Sequence, residues 1–269
     1  MAEKNLYALI LGASSGFGRS TAIELAKIGY NIYGVHLDRA ANMPKVNEVI
    51  EEIKSFGTKV KFFNVNAADD DRRAEIIKDI QKDFAQDANA HLKVLFHSLA
   101  FGALGALVGK TPEESLTKKK IEMTINVMAN SLVYWVQDLY HAGLLKEHSR
   151  IYAMTSNGSQ KVMNHYGAVA AAKSSLEAYI RYIAIELGKY KITANSIMAG
   201  FTPTPAAKVI PGFEENLILA RNLNPQRRNT EPEDVAKMVA LLQDDRSAWI
   251  TGQVIGVDGG EGLVVFTEK

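Results

Sequence analysis

The residues best suited to chemistry in this sequence are a tyrosine and a lysine in the segment HYGAVAAAK, residues 165–173. Tyr166 offers a phenol that can donate a proton, and Lys173 offers an ammonium group that can stabilise negative charge on a nearby oxygen. Residues seven apart on an α-helix lie only about 20° apart around its axis, so a helix would present both on one face. The alternative is a half-buried tyrosine beside a lysine whose aliphatic stem packs along the helix.

A second set of chemically suited residues lies near the amino terminus, in the segment GASSGFG at residues 12–18. Glycines let a backbone turn tightly and approach a pyrophosphate, and a helix that starts there offers free N–H groups and a positive dipole end. The segment follows the apolar run 6–11 and precedes the helical pattern 19–28, as a dinucleotide-binding turn does. The residues expected to hold a cofactor in this turn are Gly12, Ser14, Ser15, Gly16, Phe17 and Gly18.

Short apolar runs alternate with amphipathic stretches, and these elements must position the two segments. Strands are predicted at residues 6–11, 31–37, 59–65, within 91–100, and at 150–156, 192–200 and 253–260. Helices are predicted at residues 19–28, 45–56, 71–84, 115–142 and 165–188. Because the strands are apolar throughout, the pattern predicts a parallel sheet with helices on both faces, a doubly wound, Rossmann-type α/β fold. We expect one domain over residues 1–269.

Two stretches depart from this alternation, the Gly-rich residues 101–115 and the Pro-rich residues 201–234. They follow the fourth and sixth predicted strands, and ligands of open α/β sheets bind beyond the carboxyl ends of the strands. Long loops in compact domains are usually functional. We therefore expect both stretches to border the substrate, with 201–234 as the main substrate loop; the alternative is that they only connect elements.

Composition excludes several classes of function. The chain has 269 residues, of which 47% are hydrophobic and 23% charged, with a formal net charge of +1. This balance gives no electrostatic reason to expect nucleic acid or an anionic membrane as a partner. There is no cysteine, and the six histidines show no metal-ligand spacing, so we expect neither disulfides nor a metal. The first apolar run is too short for a signal peptide or a membrane span, which predicts a cytoplasmic protein.

The glycine spacing G-x3-G-x-G resembles that of the short-chain dehydrogenase/reductase family, and the resemblance covers nearly the whole chain. The segments that carry it are HSLA (97–100), NVMAN (126–130), AMTSNGS (153–159), MAGFTPT (198–204) and ITGQVIGVDGG (250–260). In the fourth segment an alanine stands where the family has proline. The resemblance implies further cofactor contacts at Ser98, Leu99, Ala100, Lys173, Thr202 and Thr204.

The resemblance also indicates where the adenosine ribose of the cofactor lies. Counting along the family pattern brings His36 to the place where members that prefer NAD carry an acidic residue. Without a carboxylate there, His36 and Arg39 could pair with the 2′-phosphate of NADPH, which is therefore favoured over NADH. A shift of two residues in the count would bring Asp38 to that place and reverse the preference. Asn64 and Val65 fall where the family contacts adenine.

The family's usual signature is Tyr-x3-Lys, whereas this chain has Tyr166-x6-Lys173. This spacing, together with FHSLAF at residues 96–101, resembles the enoyl-[acyl-carrier-protein] reductase-like branch of the family. In that branch the phenol meets a thioester carbonyl while hydride goes to the β-carbon, which gives a tyrosine one turn upstream a chemical reason. By contrast, Ser156 and Asn126 match the catalytic serine and structural asparagine of the ketone-reducing members.

The resemblance therefore implies an NAD(P)H-dependent reductase of the 2,3-double bond of an enoyl thioester, in fatty-acid synthesis, with the acyl group on CoA or acyl carrier protein. Tyr166 would donate to the enolate oxygen, and Lys173 would bind the nicotinamide ribose and favour the oxyanion. Ser156 would assist at the carbonyl, and Asn126 would hold a helix bend and a water molecule. The alternatives are a ketone or 3-oxoacyl thioester reductase and a non-catalytic NADP-binding regulator. The family expectation for assembly is a homotetramer or homodimer.

Overall fold

The computed structural model describes residues 5–265. Within this range the strands form one sheet in the order β3-β2-β1-β4-β5-β6-β7, and every neighbouring pair is parallel. The strands are β1 Asn5–Leu11, β2 Asn31–His36, β3 Val60–Asn64, β4 Ala90–His97, β5 Arg150–Ser156, β6 Thr193–Ala199 and β7 Val254–Val257. The central strand β4 is buried along its whole length, including the polar side chains of His91, Lys93 and His97. The predicted doubly wound parallel sheet is confirmed.

Helices pack on both faces of the sheet, and each face has its own apolar core. Over the described residues the α-helices are α1 Gly16–Lys27, α2 Met43–Ser55, α3 Asp70–Ala85, α4 Lys118–Ile125, α5 Ser131–His141, α6 Gly167–Gly188, α7 Phe213–Leu223 and α8 Pro232–Leu242. One core lies under α3, α5 and α6, around Trp135, and the other lies under α1, α2 and α8, around Phe96 and Tyr152. The order of strands reverses between β1 and β4, which leaves a crevice for a ligand at their carboxyl ends.

The predicted helix 115–142 is interrupted near its middle. Helix α4 ends at Ile125, residues Asn126–Asn130 form one π-helical turn, and α5 follows. The Ser131 hydroxyl donates to the carbonyl oxygen of Val127 at 2.7 Å, a bond of the kind that bends helices. The regular α-helix is therefore interrupted at the place where the resemblance implied a bend, and single π turns often lie at functional sites.

The stretch 201–234 is only partly a loop, which corrects the prediction. Residues 201–212 are non-helical, but Gly212, with φ of +74°, is followed directly by α7. Helix α8 begins with Pro232 in its first turn and a reciprocal capping box between Glu231 and Asp234. These start signals are present in the sequence, but the five prolines of the stretch favoured a loop.

Candidate active site

The turn after β1 has the backbone geometry that a pyrophosphate needs. Gly12 has φ of +92°, and a Cβ there would lie 2.6 Å from the carbonyl oxygen of Ser98. A Cβ on Gly18 would collide with the carbonyl oxygen of Gly12, so both positions require glycine. Ser15 is the N-cap of α1, and in the described structure its side chain does not cap the first-turn N–H groups. Those N–H groups and the dipole of α1 therefore remain available to an anion.

A cavity of about 360 Å³ lies over this turn, at the carboxyl ends of β1, β2 and β4. Its walls contain most of the residues predicted to bind a cofactor, namely Gly12, Ser14, Ser15, Gly16, Phe17, His36, Val65, Ser98, Leu99, Ala100 and Thr204. The other predictions have different places: Gly18 lies beneath the turn, Arg39 is exposed and Asn64 binds the backbone of Asp38. The cavity thus fits a dinucleotide whose pyrophosphate sits on the start of α1.

The acidic residue near the ribose end of this cavity is Asp38. Its carboxylate lies 3.0 Å from Nδ1 of His36, and it is also hydrogen-bonded by Ser14 of the glycine turn. Burial alone would raise the pKa of the Asp38 carboxyl, but hydrogen bonds from Ser14, His36 and Asn42 outweigh burial and leave the pKa below its ordinary value. Two hydrogen bonds with Asn64 fix the backbone of Asp38, each 2.9 Å long. His36, which the residue count had placed at the ribose, lines the cavity, and the negative charge of Asp38 lies directly beside it.

A second cavity, of about 160 Å³, adjoins the first and is lined by three of the four predicted catalytic residues; Asn126 is not in its wall. It shares Phe17, Ser98 and Thr204 with the cofactor cavity. Ser156, Tyr166, Lys173 and Thr202 also line it. The rest of its wall is largely apolar. It comes from both irregular stretches, from the π-helical turn between α4 and α5, from the segment before α6 and from α6 itself. The residues are Gly102, Leu104, Met128, Met163, Val169, Phe201, Val209 and Ile210. Both stretches predicted to border the substrate contribute to this wall.

Tyr166 lies at the start of α6 rather than within it, which corrects the predicted helix 165–188. His165 has φ of +61°, in the left-handed region, and Tyr166 is the N-cap residue before Gly167. A Cβ on Gly158 would lie 2.7 Å from the Tyr166 ring, so the ring packs against the turn that follows β5. Burial raises the pKa of the Tyr166 phenol, and a hydrogen bond with Ser156 acts in the opposite direction. The phenol therefore stays protonated at neutral pH.

Lys173 is buried in the wall of the same cavity, with only 4% of its surface exposed. Its Nζ donates to the carbonyl oxygen of Met154 at 2.7 Å. Burial lowers the pKa of the Lys173 ammonium to about 8, and the carboxylate of Glu177 opposes that effect. Tyr166 and Lys173 therefore share one cavity, although only Lys173 belongs to the regular helix.

Asn126 begins the π-helical turn and is half-buried. Met128, two residues further on, reaches the wall of the catalytic cavity. The π-helical turn therefore contributes Met128, and not Asn126, to the wall of the site. The proposed hold of Asn126 on a water molecule stays a prediction.

The structure adds buried titratable residues that the sequence reasoning did not assign to the site. His97, at the end of β4, is fully buried, and its Nε2 lies 2.8 Å from Oγ of Ser131. Burial, together with the charge of Lys173, lowers the pKa of His97 to about 3, so its ring is neutral. Glu261 accepts the N–H of Phe201 with both carboxylate oxygens and thereby fixes the start of the substrate segment. Glu177 lies four residues after Lys173, and on a helix this spacing places both side chains on one face, so the sequence did contain a signal that Glu177 lies near Lys173.

The strand order, the glycine turn and the Tyr, Lys and Ser side chains around one cavity define the class of protein: a nicotinamide-dependent short-chain oxidoreductase. Within that class, a family model described as Enoyl-(Acyl carrier protein) reductase matches residues 12–261. The chain belongs to this family, which lies within the short-chain dehydrogenases/reductases. The recognition made from the motifs is confirmed.

Known proteins similar to this chain fall into two chemical groups. The enoyl-[acyl-carrier-protein] reductase [NADH] FabI of Aquifex aeolicus is 30% identical over 254 residues, 94% of this chain and 90% of that protein. Versicolorin reductase 1 of Dothistroma septosporum is 27% identical over 264 residues, 94% of each chain. The crystal structure of the angucycline C-6 ketoreductase LanV with bound NADP has a TM-score of 0.82 at 24% identity, covering 97% of this chain and 96% of that one.

These similarities, together with the two cavities, establish the general activity. The chain is an oxidoreductase that uses NAD(P)H. Among the described residues no group of His, Asp or Glu side chains could hold a metal ion. No helix in residues 5–265 is both long and apolar enough to cross a membrane.

Proposed function

We propose that this chain reduces the 2,3-double bond of an enoyl thioester with NAD(P)H. The observation that supports this most is the position of Tyr166, at the N-cap of α6, two helical turns from the buried Lys173. An enoyl thioester accepts hydride at C3, two atoms from its carbonyl carbon, whereas a ketone accepts hydride at the carbonyl carbon itself. A phenol set back by one turn suits the first substrate, since it must reach an oxygen further from the hydride donor.

The wall of the catalytic cavity supports an acyl substrate. The side chains of Leu104, Met128, Met163, Phe201 and Ile210 present hydrocarbon surface, and methionine adapts to chains of different shape. Each methylene group of an acyl chain that leaves water here contributes about 0.8 kcal/mol to binding. The polar groups gather at one end, where Ser156, Tyr166 and Lys173 would surround the thioester carbonyl.

When held in the first cavity by the glycine turn, NAD(P)H would supply the hydride that is added at C3 of the substrate. Electron density then moves to the thioester oxygen, and Tyr166 donates a hydrogen bond or its proton to that oxygen. Because burial raises the pKa of Tyr166, the phenol is protonated and ready to donate. The charge of Lys173 favours the oxyanion. The enol then collapses to the saturated thioester as C2 takes up a proton, so one hydride and one proton are added overall.

Reduction of a ketone or 3-oxoacyl thioester is the second candidate function. The hydrogen bond between Ser156 and Tyr166 favours it, because a serine and a tyrosine that both point at one carbonyl oxygen suit direct carbonyl reduction. The similarity to a ketoreductase and to a versicolorin reductase is in line with this candidate. A regulator without catalysis would need neither the buried lysine nor the phenol.

A parallel assay tests the proposal. Oxidation of NADH and NADPH is followed with crotonyl-CoA and with acetoacetyl-CoA, using the wild type, Tyr166→Phe and the control Tyr182→Phe. Tyr182 lies on the same helix but is 70% exposed, far from the cavity wall. We expect turnover of crotonyl-CoA, loss of it in Tyr166→Phe and full activity in Tyr182→Phe. Turnover of acetoacetyl-CoA alone would contradict the proposal, and a fully active Tyr166→Phe would contradict the assignment of the site.

Assembly and cellular context extend the proposal. We propose a homotetramer or homodimer acting in fatty-acid synthesis in the cytoplasm, on acyl groups carried by CoA or acyl carrier protein. In favour of assembly, Ile185 and Trp249 are 80% and 98% exposed, and large exposed apolar side chains of this kind suit an interface. Sedimentation analysis of the purified chain would test this, and a monomer at micromolar concentration would contradict it.

A further inference from the structure

We propose that Glu177 is a positioning residue for the catalytic pair: its carboxylate fastens α6 to the end of β5 and supplies the counter-charge that holds Lys173 as an ammonium ion. The inference rests on the role proposed for Lys173, and it applies to enoyl and ketone reduction alike. Glu177 touches neither of the two cavities through its own side chain. It acts through the residues that line them.

The hydrogen bonds of Glu177 tie it to the strand end that carries Ser156. Glu177 is only 7% exposed. Its Oε1 accepts the hydroxyl of Thr155 at 2.5 Å and the hydroxyl of Ser159 at 2.8 Å. Thr155 and Ser159 flank Ser156 on both sides, so one carboxylate oxygen fixes the segment from which Ser156 reaches the cavity. A buried carboxylate with two hydroxyl donors is a defined site and not a solvated surface charge.

Glu177 is also placed to act on Lys173. Residues four apart on a helix lie on one face, with Cβ atoms about 6 Å apart, so Glu177 follows Lys173 by one turn of α6. Lys173 donates to the carbonyl oxygen of Met154, the residue before Thr155, whose hydroxyl bonds to Glu177. The ammonium group, the end of β5 and the carboxylate therefore form one connected arrangement.

The other titratable groups that face Lys173 carry no compensating charge. His97 faces it from β4 and is neutral, because burial and Lys173 itself lower its pKa to about 3. Tyr166 faces it from the N-cap of α6 and is a neutral phenol with a raised pKa. Burial depresses the pKa of Lys173, and Glu177 is the group that works against this depression. Because the pKa of Lys173 is already about 8, losing the charge of Glu177 would leave the lysine largely neutral at pH 8 and above.

The variant Glu177→Gln separates charge from hydrogen bonding, since the amide oxygen still accepts from Thr155 and Ser159. The measurement is kcat between pH 6 and 9.5 with a saturating substrate and cofactor. Removing one nearby opposite charge lowers the pKa of a buried amine by about one unit, so the alkaline limb moves to lower pH and kcat at pH 8.5 falls about eightfold. At pH 6, where Lys173 stays protonated, kcat remains within about twofold of the wild type.

The matched control is Glu186→Gln, the same change on an exposed carboxylate of the same helix. Its pH profile should coincide with that of the wild type. Glu177→Asp keeps the charge, and its alkaline limb should stay near the wild-type position; it decides the question if the glutamine variant does not fold. The proposal is overturned if the limb of Glu177→Gln coincides with that of Glu186→Gln, or if Glu177→Asp shifts by a full pH unit.

A separate variant distinguishes failure of this inference from failure of the proposed function. If Lys173→Met retains activity, the role of Lys173 in the reaction is wrong, and the inference falls with it. If Lys173→Met is inactive while Glu177→Gln has the wild-type profile, the proposed function stands and only the role of Glu177 is refuted.

Discussion

The two ends of the parallel sheet both bury positive charge, and they hold it in different ways. At the amino end, Arg150 is fully buried and Lys93 is 6% exposed, and both donate to the carboxylate of Asp245. At the carboxyl end, Lys173 is equally buried but donates to the neutral carbonyl oxygen of Met154. The first arrangement pairs its cations directly with one shared carboxylate, whereas the second leaves an ammonium group with a lowered pKa.

This difference separates a structural use of buried charge from a chemical one. Breaking a directly paired cluster leaves a buried cation without compensation, which costs stability. Removing a cation whose burial costs desolvation energy can instead raise the free energy of unfolding. The two ends should therefore respond in opposite ways to the loss of a charged side chain: the free energy of unfolding should fall at the amino end and rise at the carboxyl end.

The largest effect is expected from Lys173→Met at the carboxyl end. We expect kcat to fall at least about 100-fold, because the oxyanion loses its cation, while the free energy of unfolding at pH 7 rises by about 1–3 kcal/mol. The folded-state pKa of Lys173 is about 8, below its ordinary value, so the unfolded chain binds the proton more tightly. The cost of burial is therefore full below pH 8 and disappears as the pH rises toward the ordinary value. Turnover and urea unfolding measured at pH 7 give both numbers, and a variant that loses activity and stability together would contradict this view.

The opposite response is expected from Asp245→Asn at the amino end. Loss of the shared carboxylate removes the ion pair of the fully buried Arg150 and one ion pair of Lys93, and it should lower the free energy of unfolding by about 1–3 kcal/mol, a moderate loss because Asp245 itself is 61% exposed. Turnover per folded molecule should stay within about twofold of the wild type, because the cluster lies at the far end of β5. The control is Asp79→Asn, which removes an exposed ion-pairing carboxylate on α3 and should cost under about 1 kcal/mol. Equal losses in the two variants would contradict the prediction.

A third prediction concerns the charge of Asp38, also at the carboxyl end. Because its carboxylate is bonded to Ser14 and His36, which both line the cofactor cavity, it should repel a 2′-phosphate, and we expect the wild type to prefer NADH. This reverses the preference for NADPH that the residue count indicated. Asp38→Asn should raise the ratio of kcat/KM for NADPH to that for NADH by about tenfold, while the exposed control Glu48→Gln leaves the ratio unchanged. A wild type that prefers NADPH, with an unchanged ratio in Asp38→Asn, would refute the assignment.

The smallest effect is expected from Ser156→Ala with an enoyl substrate. The serine assists a carbonyl that Tyr166 already meets, so we expect crotonyl-CoA turnover to fall by about threefold to tenfold. Reduction of acetoacetyl-CoA should fall by a larger factor, because there the serine would share the reacting oxygen. The ratio of the two losses in turnover, measured in one preparation, shows whether Ser156 contributes more to enoyl or to ketone reduction. A larger loss with crotonyl-CoA than with acetoacetyl-CoA would contradict the proposal.

The parts of the fold that were predicted correctly depend on local signals. Residues 6–11 are apolar throughout, and β5 has an apolar centre at residues 151–154, because both faces of each strand are covered; this pattern is present in the sequence without tertiary information. The glycine turn after β1 was also predictable from the sequence, because the backbone there has no room for a side chain at Gly12 or Gly18 and only glycine fits. Most of the predicted cofactor residues lie together for the same reason: parallel strands end at one edge.

The parts that could not be predicted depend on contacts between distant segments. The π-helical turn at Asn126–Asn130 lies inside a continuous helical pattern, and Tyr166 falls outside α6 because His165 adopts a left-handed backbone. The place of Asp38 depends on its bonds to Ser14 and Asn64, which come from the glycine turn and from the end of β3. A count along one chain cannot register such bonds, so it could not show that the Asp38 carboxylate lies 3.0 Å from Nδ1 of His36.

The measurement that tests the central claim most directly follows the hydride itself. NADH carrying deuterium at both C4 positions is supplied with an equal mixture of crotonyl-CoA and acetoacetyl-CoA, and the products are analysed by mass spectrometry. We predict butyryl-CoA with one deuterium at C3 as the main product, lost in Tyr166→Phe and kept in Tyr182→Phe. Deuterium found only in 3-hydroxybutyryl-CoA would contradict enoyl reduction and establish the ketone as the substrate of this site.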